Sequence, residues 1–285
     1  MLDDLILSYL SHQELFSLAI GLLITLDKPN SREIIAEVLP RYETKSNDDL
    51  EWALSICAKL RLHQTAEKIY KLQGDSLQSN GFLYESLYCF AQAGDNVRLV
   101  DAVWKLFETL LVEGEYKHDP LLISKIENNE IDQPMLRQAL APFVLLYQFL
   151  NQDQAASAAG KHDFRKLFKL LGFTYIPPHY KIVLLLILTP YFNKGEFTLA
   201  DLMMIIKSLN VYEKQIKESE ESFRLSEELY QLALSKLAHK QCSDASFDWR
   251  EESELPGDVS SFILKTRKDI GYNVSFKFIE ETDLI

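Results

Sequence analysis

The chain has 285 residues, of which 47% are hydrophobic and 25% are charged, a composition ordinary for a folded protein with a substantial core. Its ten glycines and nine prolines are few for this length and favour long helices with short connections, because a sheet protein needs more turn residues. The formal net charge of −12 argues against general nucleic-acid binding, which needs a basic surface, and against binding to anionic membranes.

Helical patterns follow one another from the first residues. The most regular amphipathic pattern covers 97–111, where Val97, Val100 and Val103 begin the predicted apolar face. Gly74 and Gly94 are predicted to stop the helices that precede them. The helices predicted in this part of the chain cover 2–27 (two helices), 31–40, 46–60, 63–72, 77–93 and 97–111.

The second half continues in the same way. Asp119 precedes Pro120, an arrangement typical of an N-cap followed by proline at the first helical position. Thr198 and Asp201 resemble a capping pair that opens another helix. The helices predicted here begin near 119 and 134 and cover 153–171, 182–188, 199–209 and 223–240.

The pattern changes after residue 241. We predict an α-helical domain over 1–241, then an acidic flexible linker over 242–259, whose composition cannot bury enough apolar surface to offset its ordering entropy. A C-terminal extension follows over 260–285. In it, Val274, Phe276 and Phe278 alternate with polar residues and could form a short strand.

The residues that catalysis would need are scattered. No two histidines stand four residues apart, no two cysteines have zinc-ligand spacing, and no phosphate-binding glycine loop or nucleophile motif is present. The longest apolar run, 182–188, is far shorter than the ~20 residues that span a bilayer. We therefore expect no enzyme activity, no catalytic residue, no bound metal or cofactor, no nucleic-acid partner and no transmembrane segment.

Several segments together resemble a known family. Trp52–Leu62 contains the pattern Ala-Leu-x-Ile-Cys, and Ser86–Asp95 ends in a turn of small residues and aspartate. Over about 2–240, their order and spacing resemble the C-terminal half of the eighty-five-kilodalton nucleoporin family of the Y-shaped nuclear pore complex. The later segments that keep the same order are 143–154, 164–168, 176–178, 181–188 and 197–209.

This resemblance implies an all-α fold, an irregular α-solenoid of antiparallel helix pairs as in the trunk and tail of pore and coat scaffolds. It implies a structural scaffold of the nuclear pore complex at the nuclear envelope, which binds other helical nucleoporins and supports transport of mRNA and protein. The family also uses an N-terminal segment to complete the β-propeller of a WD-repeat partner. Nothing before Asp27 resembles that segment, so we expect that binding this partner needs a segment absent here.

Two other classes remain open. One is a helical adaptor or regulatory subunit of the vesicle-coat or proteasome-lid type, although lid subunits carry a C-terminal module with several strands and 260–285 offers at most one. The other is a helical enzyme with an unrecognised site, which a pocket of polar groups with perturbed pKa values would support.

The helix predicted over 223–240 is the candidate docking surface for a partner. A terminal helix of a solenoid has one neighbour instead of two, so part of its apolar surface needs a cover. The alternative is that 260–285 folds back and covers it. The candidate partner-binding residues are Leu225, Leu229, Tyr230, Leu234 and Leu237.

Overall fold

A computed structural model describes residues 2–26, 30–44, 46–116, 118–156, 164–194, 197–239 and 255–281. Within these ranges the fold is all-α, with no strand, which confirms the predicted fold class. The helices are α1 Leu2–Leu10, α2 Gln13–Leu26, α3 Ser31–Val38, a 3₁₀ turn Leu39–Arg41, α4 Asn47–Leu60, α5 His63–Ser79, α6 Leu83–Gln92, α7 Asn96–Glu113, α8 Pro120–Glu127, α9 Pro134–Ala156, α10 Arg165–Gly172, α11 Pro178–Lys194, α12 Leu199–Glu218, α13 Glu220–His239 and α14 Val259–Glu281.

Short polar signals fix where several helices begin. The Asp119 side chain accepts hydrogen bonds from the backbone N–H groups of Leu121 and Leu122, so it caps α8 as predicted. Thr198 and Asp201 form the predicted capping box of α12. Each cap satisfies backbone N–H groups that have no partner inside the helix.

The prediction that Gly74 ends a helix is wrong, because α5 continues through it to Ser79. The glycine allows close packing instead, since a Cβ atom at this position would lie 2.6 Å from Cε1 of Phe90 on α6. The chain turns later, at Gly81, where φ is +84° and glycine is favoured.

Other helix bounds also differ from the predicted ones. The proline at 190 does not end α11, which runs on to Lys194, and α12 extends through a charged stretch to Glu218. The helix predicted over 153–171 corresponds to the end of α9 and to α10, and the residues between Ala156 and Phe164 lie outside the described ranges.

The apolar face predicted for α7 is correct only in part. Val97 and Val100 are exposed, Val97 by 80% of its surface. Val103 is buried as predicted, and so are Phe107, Leu110 and Leu111 further along the helix, while the other buried residues are Leu99, Ala102, Leu106 and Val112.

The chain forms two compact units. The first comprises Met1–Val103 and His118–Ala139. In it, helices that are neighbours in sequence pack together, as a stack of helical pairs requires, and an aromatic group anchors the early helices. Tyr42 stacks on Phe16 at 5.1 Å between ring centroids and meets Trp52 edge-on at 5.2 Å.

The second unit comprises Trp104–Lys117 and Leu140–Ile285. Helix α11 lies at its centre, with every residue from Tyr180 to Phe192 buried, and contacts α10, α12, α13 and α14. Because α14 packs on α11, α12 and α13, the C-terminal extension is part of this unit in the structure.

Candidate interaction surface

The five candidate partner-binding residues of α13 differ widely in exposure. Leu229 and Tyr230 are buried inside the chain, whereas Leu225 and Leu234 are half-buried. The Leu237 side chain lies outside the described part of the structure. Of the five, Leu225 and Leu234 are therefore the described residues with surface open to another molecule.

Tyr230 is covered by the segment that leads into α14. Its hydroxyl donates a hydrogen bond to the backbone carbonyl of Pro256 at 2.7 Å, and its ring lies 5.4 Å from that of Phe262. Burial raises the pKa of the Tyr230 phenol above its usual value, and the carboxylates of Glu227 and Asp258 act in the same direction. The sequence left open the alternative that residues 260–285 fold back over this helix. In the structure, Phe262 of that segment does cover Tyr230.

Residues 255–259, the end of the predicted linker, pack on α13. Gln231 donates from its side-chain amide to the carbonyl of Gly257 at 2.6 Å, and the N–H of Val259 donates to the Glu227 carboxylate at 3.0 Å. The Asp258 carboxylate accepts from the backbone N–H and the hydroxyl of Ser261, which caps α14. Residues 240–254 lie outside the described ranges, so a flexible linker there stays a prediction.

The strand considered for Val274, Phe276 and Phe278 is wrong, because these residues belong to α14. Their alternation is compatible with a helix that is apolar on both sides. One side packs on the unit through Phe262, Ile263 and Ile270. The other side was missed from sequence, although a helical spacing of four and three residues from Tyr272 to Phe276 and Ile279 could have revealed it.

The outer face of α14 is an unusually apolar exposed surface. We define it by five exposed residues that follow one another along the helix at spacings of four or three residues. Tyr272 exposes 73% of its surface and Leu264 exposes 62%. The five residues are Leu264, Lys268, Tyr272, Phe276 and Ile279.

An ion pair fixes α14 on the unit. The Arg267 guanidinium donates to the Glu213 carboxylate at 2.7 Å and to the Asn210 side-chain oxygen at 2.8 Å, both on α12. The hydrogen bond from Arg267 holds the pKa of Glu213 below its usual value, against a smaller opposing effect of burial. These contacts join α14 to α12.

Two features bear on the enzyme alternative. Among the described residues, no three histidine, cysteine or acidic side chains are close enough to hold a metal ion. Cys57 and Cys89 are buried, and burial raises the pKa of each thiol to about 11, so both are protonated at neutral pH and poor nucleophiles.

None of the helices in the described ranges is long and apolar enough to cross a membrane.

Comparison with known proteins gives two matches. A curated relative, nucleoporin NUP85 of Saccharomyces cerevisiae (strain ATCC 204508 / S288c), is 29% identical over 290 residues, covering 95% of this chain and 36% of the relative. The chain thus spans about a third of that protein's length. A family model described as Nup85 Nucleoporin matches residues 1–211, which is most of the chain. The chain therefore belongs to the Nup85 nucleoporin family.

Proposed function

We propose that this chain joins other helical nucleoporins of the Y-shaped complex through the outer face of α14. Membership of a nucleoporin family makes the protein a structural component of the nuclear pore complex, located at the nuclear envelope. The proposal adds the surface that makes the connection and the class of partner that it meets.

The observation that carries the proposal is the exposure of large apolar side chains on a helix that is otherwise firmly packed. Exposed apolar patches of this kind mark interaction sites on soluble proteins, and aromatic residues often dominate the binding energy of interfaces. Phe276 and Tyr272 lie one turn apart, so their side chains are neighbours on the surface of α14.

The residues proposed on α13 have two roles in this account. Leu225 and Leu234 are half-buried and are proposed as a second contact area, on α13. Tyr230 acts indirectly, because its ring packs against Phe262 at the start of α14, and Leu229 is buried inside the chain. Leu237 stays a proposed contact at the end of the same helix.

As a scaffold component, the protein supports transport of mRNA and protein through the pore by maintaining its architecture and not by chemistry. Binding of the WD-repeat partner stays an expectation that needs an N-terminal segment. Both statements rest on the family and are proposals for this chain.

Charging the outer face of α14 tests the proposal. The double variant Tyr272→Glu and Phe276→Glu should lose the helical nucleoporins that co-purify with the tagged wild-type chain, while its helical circular dichroism stays unchanged. The matched control is Phe82→Glu with Val97→Glu, which charges two exposed apolar residues of the other unit. Full retention of the partners by the α14 variant would show that the contact lies elsewhere.

A further inference from the structure

A second feature of the unit that contains α14 is a half-buried carboxylate, Glu108, that pairs with no lysine or arginine among the described residues. Glu108 lies on α7, is half-buried, and accepts a hydrogen bond at 3.1 Å from the hydroxyl of Tyr180 at the start of α11. Within the described residues, no lysine or arginine forms an ion pair with it. A partly buried charge that is held by one neutral donor is incompletely compensated.

Aromatic rings pack around Tyr180, the residue that donates to this carboxylate. Trp104 precedes Glu108 by one helical turn and stacks on Tyr180 at 5.4 Å between ring centroids, with 21° between the ring planes. Phe107 meets Tyr180 edge-on at 5.4 Å. Trp104 is only half-buried, and it lies one helical turn from Glu108 on the same side of α7.

The nearby basic groups of α11 do not neutralise Glu108. Burial lowers the pKa of His179 below its usual value, against the opposing effect of Glu108, so this imidazole is uncharged at neutral pH. Lys181 is buried, and burial alone lowers its pKa, with no contribution from Glu108. Within the described residues, neither group pairs with the carboxylate beside Trp104, which therefore stays available to a cation.

We propose that Trp104 and Glu108 form a receptor for an arginine side chain of a partner protein. A guanidinium can donate two parallel hydrogen bonds to a carboxylate and stack on an aromatic face, whereas an ammonium acts as a point charge. Tryptophan, tyrosine and arginine are also the residues most enriched among interface hot spots. The site is separate from the outer face of α14 and does not depend on the function proposed for that face.

A peptide titration followed by nuclear magnetic resonance tests this assignment. The chain has three tryptophans, so its indole N–H signals are few, and a Trp104→Phe variant assigns the relevant one. The probe is a capped glycine-arginine-glycine peptide, with citrulline and lysine versions as comparisons. We expect the arginine peptide to shift the Trp104 signal, the lysine peptide to bind more weakly, and the neutral citrulline peptide to have no effect.

The variant Glu108→Gln keeps an oxygen that can accept from Tyr180 but removes the negative charge. It should weaken binding of the arginine peptide at least about tenfold, the loss expected for a charge-assisted hydrogen bond. The matched control Glu67→Gln, at an exposed glutamate of α5, should change nothing. In the wild-type chain, added salt should weaken binding, a test that needs no variant to fold. Absence of a Trp104 shift, equal binding of citrulline or lysine, equal binding by Glu108→Gln, or binding that is indifferent to salt would each overturn the assignment.

Discussion

At the scale of single residues, Gly74 sets how closely α5 and α6 can approach. The ring of Phe90, which is buried, occupies the space that a side chain at position 74 would need. The close approach of the two helices also allows the Ser86 hydroxyl to donate a hydrogen bond to the carbonyl of Gly74 at 2.9 Å. The packing of two helices thus depends on one missing methyl group.

The substitution Gly74→Ala should lower the free energy of unfolding by about 1–3 kcal/mol, because overpacking forces Phe90 or the helices to move. Gly21→Ala is the matched control, since nothing lies within 4 Å of a Cβ there. That control should raise stability by about 0.5–1 kcal/mol, as alanine favours a helix over glycine. Urea denaturation measures both, and equal effects of the two substitutions would contradict the packing role of Gly74.

Asp119 is the second residue on which local structure depends. Besides capping α8, its carboxylate accepts from the backbone N–H of Tyr84 at 2.8 Å and so joins the start of α6 to the start of α8. The substitution Asp119→Ala leaves three N–H groups without this acceptor and should cost about 2–3 kcal/mol.

The effect of Asp119→Ala should exceed that of Ser46→Ala, which removes the exposed capping box of α4 and should cost about 1 kcal/mol. Thermal unfolding of the two variants measures the difference. If both lose the same amount of stability, the contact between Asp119 and Tyr84 contributes nothing.

At the scale of elements, α14 is held on α12 by the pair of Arg267 and Glu213. Arg267 lowers the pKa of Glu213 in the folded chain, so the pair stabilises the fold above the usual glutamate pKa of 4.5. This stability is lost as the pH falls through the lower, folded pKa.

The substitution Glu213→Gln should therefore cost about 0.5–1 kcal/mol at neutral pH, a modest value because Arg267 is 43% exposed. The cost should shrink towards zero as the pH falls below 4.5. Glu218→Gln, in a more exposed pair with Lys214, should cost less. Urea denaturation at several pH values tests this, and a cost that stays constant into acid would refute the role of the ion pair.

The elements also show what sequence patterns can and cannot reveal. Capping signals such as Thr198 with Asp201 are local, so they predicted helix starts correctly. The pattern at Gly74 gave the wrong end for α5, because the reason for that glycine is Phe90, sixteen residues away. Tyr230 was predicted as a contact for a partner because its cover could not be seen in the sequence. The cover is Pro256, in the segment before α14, and Phe262 of α14, a helix whose alternating apolar residues suggested a strand.

At the scale of the whole molecule, the chain is an all-helical member of the Nup85 nucleoporin family. Tyr230, one of the candidate partner-binding residues, is unsuited to a binding test, because a charged substitution there would place an ion in a buried position. Substitutions on the outer face of α14 avoid this difficulty, because Tyr272 and Phe276 are exposed.

The location of the tagged chain in cells tests the central claim most directly. The wild-type chain should accumulate at the nuclear rim, and the variant with Tyr272→Glu and Phe276→Glu should be dispersed at the same expression level. The control variant with Phe82→Glu and Val97→Glu should keep the rim signal. A rim signal of undiminished intensity for the α14 variant would contradict the account, because the outer face of α14 would then not be what connects this chain to the pore.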